Sequence, residues 1–136
     1  MVPVGAPAVE EARSALPVVP SARYLVTGGA GFIGSNLVEA LVAEGAHVRV
    51  LDDFSTGSRD NLRDFIDEIE LVEGSITDPA TCASACQGVD FVLHQAALAS
   101  VPRSVANPAA THDACATGTL NMLIAGRDAG GKRLVC

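Results

Sequence analysis

An eight-residue stretch, Thr27-Gly28-Gly29-Ala30-Gly31-Phe32-Ile33-Gly34, restricts what this chain can fold into more than any other. It follows a short apolar run, Tyr24-Leu25-Val26, and opens an amphipathic segment from Phe32 to Glu44. Strand, glycine-rich turn and helix therefore follow one another. A helix start carries unpaired N–H groups and the positive end of the macrodipole, so it attracts an anion. Glycines let the turn be tight, let backbone approach a pyrophosphate, and let helix and strand pack closely. Gly29-x-Gly31-x-x-Gly34 is the general dinucleotide fingerprint, and Gly28-x-x-Gly31-x-x-Gly34 is a second, wider spacing over the same residues. An acidic pair, Asp52-Asp53, closes the next strand about 20 residues on, where such a site places its ribose partner. The stretch is read as a dinucleotide site rather than a purely structural turn.

Bulk properties set limits on the rest. The chain has 136 residues, enough for one domain, and its 49% hydrophobic content is enough for a packed core. A net charge of −7 argues against nucleic acid, because no basic patch is available to displace counterions. Of the four cysteines, Cys82 and Cys86 lie four apart in an expected helix, and none has a His or Cys pair at zinc spacing. They are expected to be buried small hydrophobes in a reducing compartment, with no metal. No apolar run is long enough to span a membrane. Four prolines and an acidic start, Glu10-Glu11, argue against an export signal in the first 21 residues. The expected location is cytoplasmic. Residues 1–21 are expected to form a flexible lead-in, with one or two helical turns over Glu10 to Leu16, and residues 22–136 one domain.

Taken in order, Arg23 to Thr27 is the first strand, a short buried run suited to a sheet covered on both faces. In the helix that follows, Ile33, Leu37, Val38, Leu41 and Val42 form one apolar stripe, and Gly45 sits where a C-cap glycine would. Ala46 to Leu51 is the second strand. Asp52 at its carboxyl end can accept hydrogen bonds from both ribose hydroxyls of an adenosine and repels a 2′-phosphate, so NAD is favoured over NADP. Phe54-Ser55-Thr56-Gly57 continues as a loop able to cover an adenine, and Asn61 to Phe65 reads as a short helix. Ile69 to Glu73 is a third strand. A helix capped by Asp78 or Thr77, with Pro79 in its first turn, runs to about Cys86. Val89 to His94 is a fourth strand, followed by the small residues of Gln95-Ala96-Ala97. Asn107-Pro108 starts a long helix with Leu120, Leu123 and Ile124 expected inward, ending near Gly130-Gly131. Lys132 to Cys136 begins a fifth strand. This alternation predicts right-handed crossovers and a Rossmann-type parallel sheet of order 3-2-1-4-5, with helices on both faces.

With these residues in view, the chain resembles the extended short-chain dehydrogenase/reductase family, whose glycine spacing is the wider one above. The resemblance is carried by Thr27 to Gly34, Leu51 to Gly57, Val92-Leu93-His94-Gln95-Ala96-Ala97 and Gly118-Thr119-Leu120-Asn121-Met122-Leu123. More narrowly it is similar to NAD-dependent nucleotide-sugar epimerases and dehydratases. The run Ser100-Val101-Pro102-Arg103-Ser104 is most similar to the 4-epimerases of the UDP-N-acetylglucosamine and UDP-glucuronate type. In that family NAD stays bound and takes a hydride from C4 of the sugar while a tyrosinate removes the hydroxyl proton. The 4-keto sugar then turns over and takes the hydride back on its other face. The resemblance implies that Gly28, Gly31, Phe32, Ile33 and Gly34 hold the pyrophosphate. Asp52 would bind the adenosine ribose, with Asp53, Ser55, Thr56 and Gly57 close by. Ser75 and Ile76 would flank adenine, and Gln95, Ala96 and Ala97 would border the nicotinamide side. Ala99, Ser100 and Arg103 would belong to the pocket for a UDP-hexose, and complete family members dimerise.

Three departures from the family pattern stand out. Ser75 occupies a position where the family usually has Asp, and Cys115 one where it usually has Asn. The family's catalytic Ser/Thr and Tyr-x-x-x-Lys lie beyond the fifth strand, whereas here the only Tyr is Tyr24 and the only Lys is Lys132. The expectation is a cofactor-binding part cut before the catalytic and substrate parts, with no catalytic residue of its own. The alternative is an inactive NAD-binding remnant, or part of a dehydratase. A methyltransferase is disfavoured by the three-residue glycine spacing and Gln95-Ala96-Ala97. A P-loop kinase is disfavoured because Gly34-Ser35-Asn36 lacks the lysine.

Overall fold

In the computed structural model, which describes residues 18–136, β1 (Arg23–Thr27) is the central strand of a five-stranded parallel sheet. The order is β3-β2-β1-β4-β5, with β2 at His47–Asp52, β3 at Ile69–Glu73, β4 at Phe91–His94 and β5 at Arg133–Val135. Every pairing is parallel, with Tyr24 opposite both Val48 and Phe91, and Thr27 opposite both Leu51 and His94. The expected fold is therefore the observed one. β1 has four consecutive buried residues after Arg23 because side chains on both of its faces meet apolar layers.

Those two layers are separate cores. On one face Tyr24, Val26, Val48 and Val50 pack with Val38 and Leu41 of α1 (Phe32–Ala43) and with Leu62. On the other, Leu25, Leu51 and Val92 pack with Cys82 and Ala85 of α2 (Pro79–Ala85) and with Met122 and Ala125. Full burial of such a Val or Leu side chain contributes about 1.5–3 kcal/mol. Asp78 is the cap of α2, its carboxylate accepting the Ala80 N–H. Gly45 ends α1 at φ +77°, its N–H donating to the Val42 carbonyl.

The expected lead-in over residues 1–17, with its helical turns, lies outside the described residues. Its last residues are described: the Val19 N–H donates to the Tyr24 hydroxyl and the Ala22 N–H to the Val19 carbonyl, forming a turn against the sheet.

Four local expectations are corrected. The short helix over Asn61 to Phe65 is a 3₁₀ segment, Arg59–Glu68, kinked at Phe65. Between Ala97 and Asn107, where no helix or strand is expected, a helix forms, α3 (Val101–Ala106), capped by Ser100. The long helix from Asn107 is present, with the Asn107 side chain accepting the Ala110 N–H, but it is not uniform. It runs as α4 (Pro108–His112), a π turn (Asp113–Thr117) and α5 (Gly118–Asp128). A π turn has wider hydrogen-bonded loops than an α-helix, so it rotates every later residue relative to an α-helical count. Leu120, Leu123 and Ile124 consequently face out, and Gly118, Met122, Ala125 and Gly126 face in. Ile33 is likewise not part of the core stripe of α1. It is 61% exposed because the first turn of α1 projects past the sheet over the cleft described next.

Candidate functional site

At the carboxyl ends of β1 to β4 lies a cleft of about 590 Å³, the place where an open parallel α/β sheet holds its ligand. Its floor is the turn after β1. Gly28 has φ +67°, and a Cβ there would lie 2.7 Å from the Ala96 nitrogen. A Cβ on Gly34 would lie 2.1 Å from the Gly28 carbonyl oxygen. Both positions therefore exclude side chains through backbone, which has nowhere to move.

α1 begins in this floor with its N-terminus open. Gly31 is its N-cap, no side chain caps it, and no acid lies in its first turn. The first bond inside the helix runs from the Ser35 N–H to the Gly31 carbonyl, leaving the N–H groups of Phe32, Ile33 and Gly34 without helical acceptors. Phe32 is 83% exposed beside them. The lining residues include Asp52, Asp53 and Asp113 but no Lys, Arg or His. An anion in this cleft is thus met by backbone dipoles rather than by side-chain cations.

Asp52 forms the corner between β1 and β2. It is buried, one carboxylate oxygen accepting the Ala30 N–H at 2.9 Å and the other the Phe54 N–H at 2.8 Å. Each carboxylate oxygen has a second lone pair, so ribose hydroxyls can still be accepted. Phe54 adopts φ +56°, a conformation costing a non-glycine residue about 1–2 kcal/mol. The Asp52 acceptor and the Arg59 guanidinium, 4.1 Å above the Phe54 ring, hold it there. The loop beyond is pinned to the glycine turn. The Ser58 N–H and the Asn61 amide both donate to the Ala30 carbonyl, at 3.0 and 2.8 Å. A Cβ on Gly57 would meet Ala30 backbone at 2.8 Å.

The far wall carries Ser75, Ile76 and Thr77 after β3, and Gln95, Ala96 and Ala97 after β4. The Ser75 hydroxyl is engaged locally, 2.8 Å from that of Thr77 and accepting the Thr77 N–H. Ala110, Asp113 and Ala114 of α4 and the π turn complete the wall.

Every residue expected to contact a cofactor, from Gly28 through Asp52 and Asp53 to Ala97, lines this one cleft. The three expected substrate residues do not. Ala99, Ser100 and Arg103 sit outside it at the start of α3, where the Ser100 hydroxyl accepts the Arg103 N–H as helix cap. Sequence reasoning missed Thr77, Ala110, Asp113 and Ala114. In the sequence Thr77 reads only as a possible cap; Ala110 lies in α4, and Asp113 and Ala114 belong to a π turn that no residue pattern announces.

Of the four cysteines expected to be buried, Cys115 and Cys136 are free and exposed. Cys82 and Cys86 are free and buried, and burial pushes the Cys82 thiol up to about 11, helped by Cys86 and Asp78. Among the described residues no cluster of His, Cys, Asp and Glu is placed to hold a metal ion. No helix among them is long and apolar enough to cross a membrane.

Known proteins share this arrangement. UDP-glucuronic acid decarboxylase 1 of Danio rerio is 36% identical over 115 residues, 83% of this chain and 26% of the relative. The dTDP-glucose 4,6-dehydratase DesIV of Streptomyces venezuelae, solved with NAD and TYD, superposes with a TM-score of 0.78 at 37% identity. That match covers 82% of this chain and 38% of that one. UDP-glucose 4-epimerase of Thermus thermophilus, solved with NAD, gives 0.75 at 40% identity, covering 82% and 36%. The chain thus spans about a quarter of the length of that curated relative from Danio rerio. The model of the NAD dependent epimerase/dehydratase family matches residues 24–136. The chain belongs to that family, whose cofactor is NAD.

Proposed function

We propose that this chain is the NAD-binding part of a nucleotide-sugar 4-epimerase of the UDP-N-acetylglucosamine or UDP-glucuronate type. The observation that carries the reading is the open N-terminus of α1 beside the buried Asp52 carboxylate. NAD, when bound, supplies a hydride acceptor for reversible oxidation at C4 of the sugar. The chain's own groups bind and orient it. The N–H groups of Phe32, Ile33 and Gly34 meet the diphosphate, and Asp52 accepts the ribose hydroxyls. Ala96 and Ala97 leave room for a flat ring against backbone. Asp53, Ser55, Thr56 and Gly57 border the ribose, and Ser75 and Ile76 border adenine.

The narrower sugar class is supported by the Ser100-to-Ser104 run and by similarity to a UDP-glucuronic acid decarboxylase. Ala99, Ser100 and Arg103 lie outside the cofactor cleft, directly after Leu98 of its lining, and are assigned to the UDP-hexose. Residues 1–136 contain no Tyr-x-x-x-Lys, so the general base must come from outside them. Correctly placed general acid–base groups contribute about 10²–10⁴-fold to rate. A dehydratase is the second reading, favoured by the superposition on DesIV. Free thiols, two of them buried, support a reducing, cytoplasmic setting.

Calorimetry of the 136-residue chain tests the cofactor part. NAD+ is expected to release heat, and NADP+ to bind at least about tenfold more weakly because its 2′-phosphate meets Asp52. Absence of heat with NAD+ overturns the reading. Mixed with NAD+ and UDP-N-acetylglucosamine, the chain alone is expected to give no UDP-N-acetylgalactosamine.

A further inference from the structure

A line of hydrogen bonds runs beneath the cleft from β1 to α5, and no cofactor contact uses it. His94 ends β4 and is 6% exposed. Its Nδ1 lies 2.6 Å from Thr27 Oγ1, and its Nε2 lies 3.0 Å from Thr119 Oγ1. Thr27 Oγ1 accepts the Ala96 N–H at 3.2 Å. It also accepts the Gln95 N–H at 3.2 Å, which is shared with the Thr27 carbonyl at 3.0 Å. With two N–H groups pointing at it, that oxygen has only its own proton to offer, and Nδ1 is the acceptor. At the other end Thr119 donates to the Cys115 carbonyl at 2.7 Å, so its oxygen is left to accept from Nε2–H. One state of the ring satisfies every member: neutral, protonated on Nε2.

We propose that this form of His94 is a positioning residue for the dinucleotide. It holds two parts of the cleft wall at a fixed spacing: the Gln95–Ala96 backbone, against which Gly28 packs, and the π turn that carries Asp113 and Ala114. Protonation would place an Nδ1–H against an oxygen already receiving two donors, and the line would break at Thr27. Burial is the cause that lowers the His94 pKa. The groups bonding the ring are the hydroxyls of Thr27 on β1 and Thr119 on α5. The ionisable residues on the surrounding elements are Arg23 and Tyr24 on β1, His47, Arg49 and Asp52 on β2, Asp113 and Cys115 in the π turn, Arg127 and Asp128 on α5 and Arg133 on β5, and none bonds the ring.

The inference rests on the cleft being the NAD site, and one titration series separates the two. NAD+ binding is measured by calorimetry from about pH 8 to about pH 5, the range in which a histidine changes charge. NMR of protein carrying ¹⁵N-histidine reports which ring nitrogen of His94 holds the proton, His94→Gln supplying the assignment. The expected result is an Nε2–H ring at about pH 7.5, and NAD+ affinity that is full at high pH. Affinity should weaken about tenfold for each pH unit below the ring's pKa. In His94→Gln affinity should be lower and flat with pH. Thr119→Val keeps the imidazole and removes its acceptor, so it should weaken NAD+ at every pH while retaining the slope. A ring protonated on Nδ1 at that upper pH, or parallel pH profiles in parent and His94→Gln, overturns the proposal. If His94→Gln does not fold, the parent's tautomer and the Thr119→Val profile decide it. Absence of heat at every pH is instead the failure of the NAD reading itself.

Discussion

The glycine wall and the helical wall of the cleft enclose the same space by different means. From Gly28 to Gly34 the wall is backbone against backbone, and a single added Cβ at either end meets an atom that cannot yield. Opposite it, α4 and the π turn have no buried residue at all. That wall is held by caps, by Thr119, and by the close seating of α5, whose inward positions are Gly118, Met122, Ala125 and Gly126. The lesson is that anion recognition here is written into chain geometry, where few substitutions fit. The opposite wall is written into small side chains, where many do.

The largest expected effect comes from pushing a methyl group into the rigid wall. Gly34→Ala places its Cβ on the Gly28 carbonyl oxygen. The cost is expected to reach at least about 3 kcal/mol, the upper end for overpacking, with NAD+ binding lost. Thermal unfolding followed by circular dichroism measures it. Gly45→Ala is the internal control. It has a left-handed backbone, φ +77°, which Gly34 does not, but no heavy atom lies within 4 Å of the added Cβ. Only conformational strain of about 1 kcal/mol is expected there, with NAD+ binding unchanged. Equal losses from the two glycines would mean that the turn is no more rigid than a helix cap.

The same asymmetry explains what is legible in the sequence. Gly28 and Gly34 can be read because glycine is the one residue the geometry admits, Gly31 because it completes their spacing, and Asp52 because it must follow at a strand end. The strands are legible because alternating buried runs and capped helices leave one parallel topology. Asp78 and Asn107 identify their helix starts through the carboxylate or amide that caps them. The π turn is not legible. Asp-Ala-Cys-Ala-Thr is an ordinary helical composition, and only the packing of Gly118 beside Ile76 and the Thr119 bond show where the extra residue goes. Without it, neither the outward turn of Leu120, Leu123 and Ile124 nor the place of Asp113 and Ala114 in the cleft can be foreseen. α3 escapes a reading that takes Ser100 to Ser104 only for its likeness to a substrate pocket, although Ser100 followed by Pro102 is itself a helix start.

Next in size is Asp52→Asn at the corner of the rigid wall. The carboxylate accepts N–H groups on both oxygens, from Ala30 and from Phe54. An amide can accept only one of them and turns its own N–H₂ toward the other. A buried donor left unsatisfied costs about 1–3 kcal/mol, so a stability loss of about 2 kcal/mol is expected in urea unfolding. Loss of the negative charge should also narrow the preference for NAD+ over NADP+. A variant that kept full stability would show that the Phe54 conformation does not depend on this carboxylate.

A smaller effect is expected when the methyl group is moved to the flexible wall. In Gly118→Ala the new Cβ lies 2.5 Å from the Ile76 Cδ1 atom and 2.7 Å from its Cγ1, a side chain that must change rotamer but no backbone atom. Alanine also favours a helix interior over glycine by about 1 kcal/mol, which offsets part of the repacking. By thermal unfolding the net change is expected to stay within about 1 kcal/mol, the size of that offset. NAD+ affinity should fall only as far as Ile76 is displaced. A loss as large as that of Gly34→Ala would place the two walls on the same footing.

The smallest effect is expected at Arg103→Ala, and it separates cofactor from substrate most cleanly. Arg103 is exposed in α3, its N–H caps onto the Ser100 hydroxyl through backbone alone, and its side chain forms no ion pair among the described residues. Truncation therefore removes little buried area and leaves the cap in place. Stability should move by no more than about 0.5 kcal/mol, the usual range for a surface position. NAD+ affinity should be unchanged, because the guanidinium lies outside the cleft. If the proposed UDP-hexose side of the site begins here, the same substitution in a protein carrying the remaining length of the family should raise KM for the nucleotide sugar and leave NAD retention untouched. A loss of NAD+ binding in the 136-residue chain would instead mean that α3 closes over the cofactor, and that the two walls are not independent.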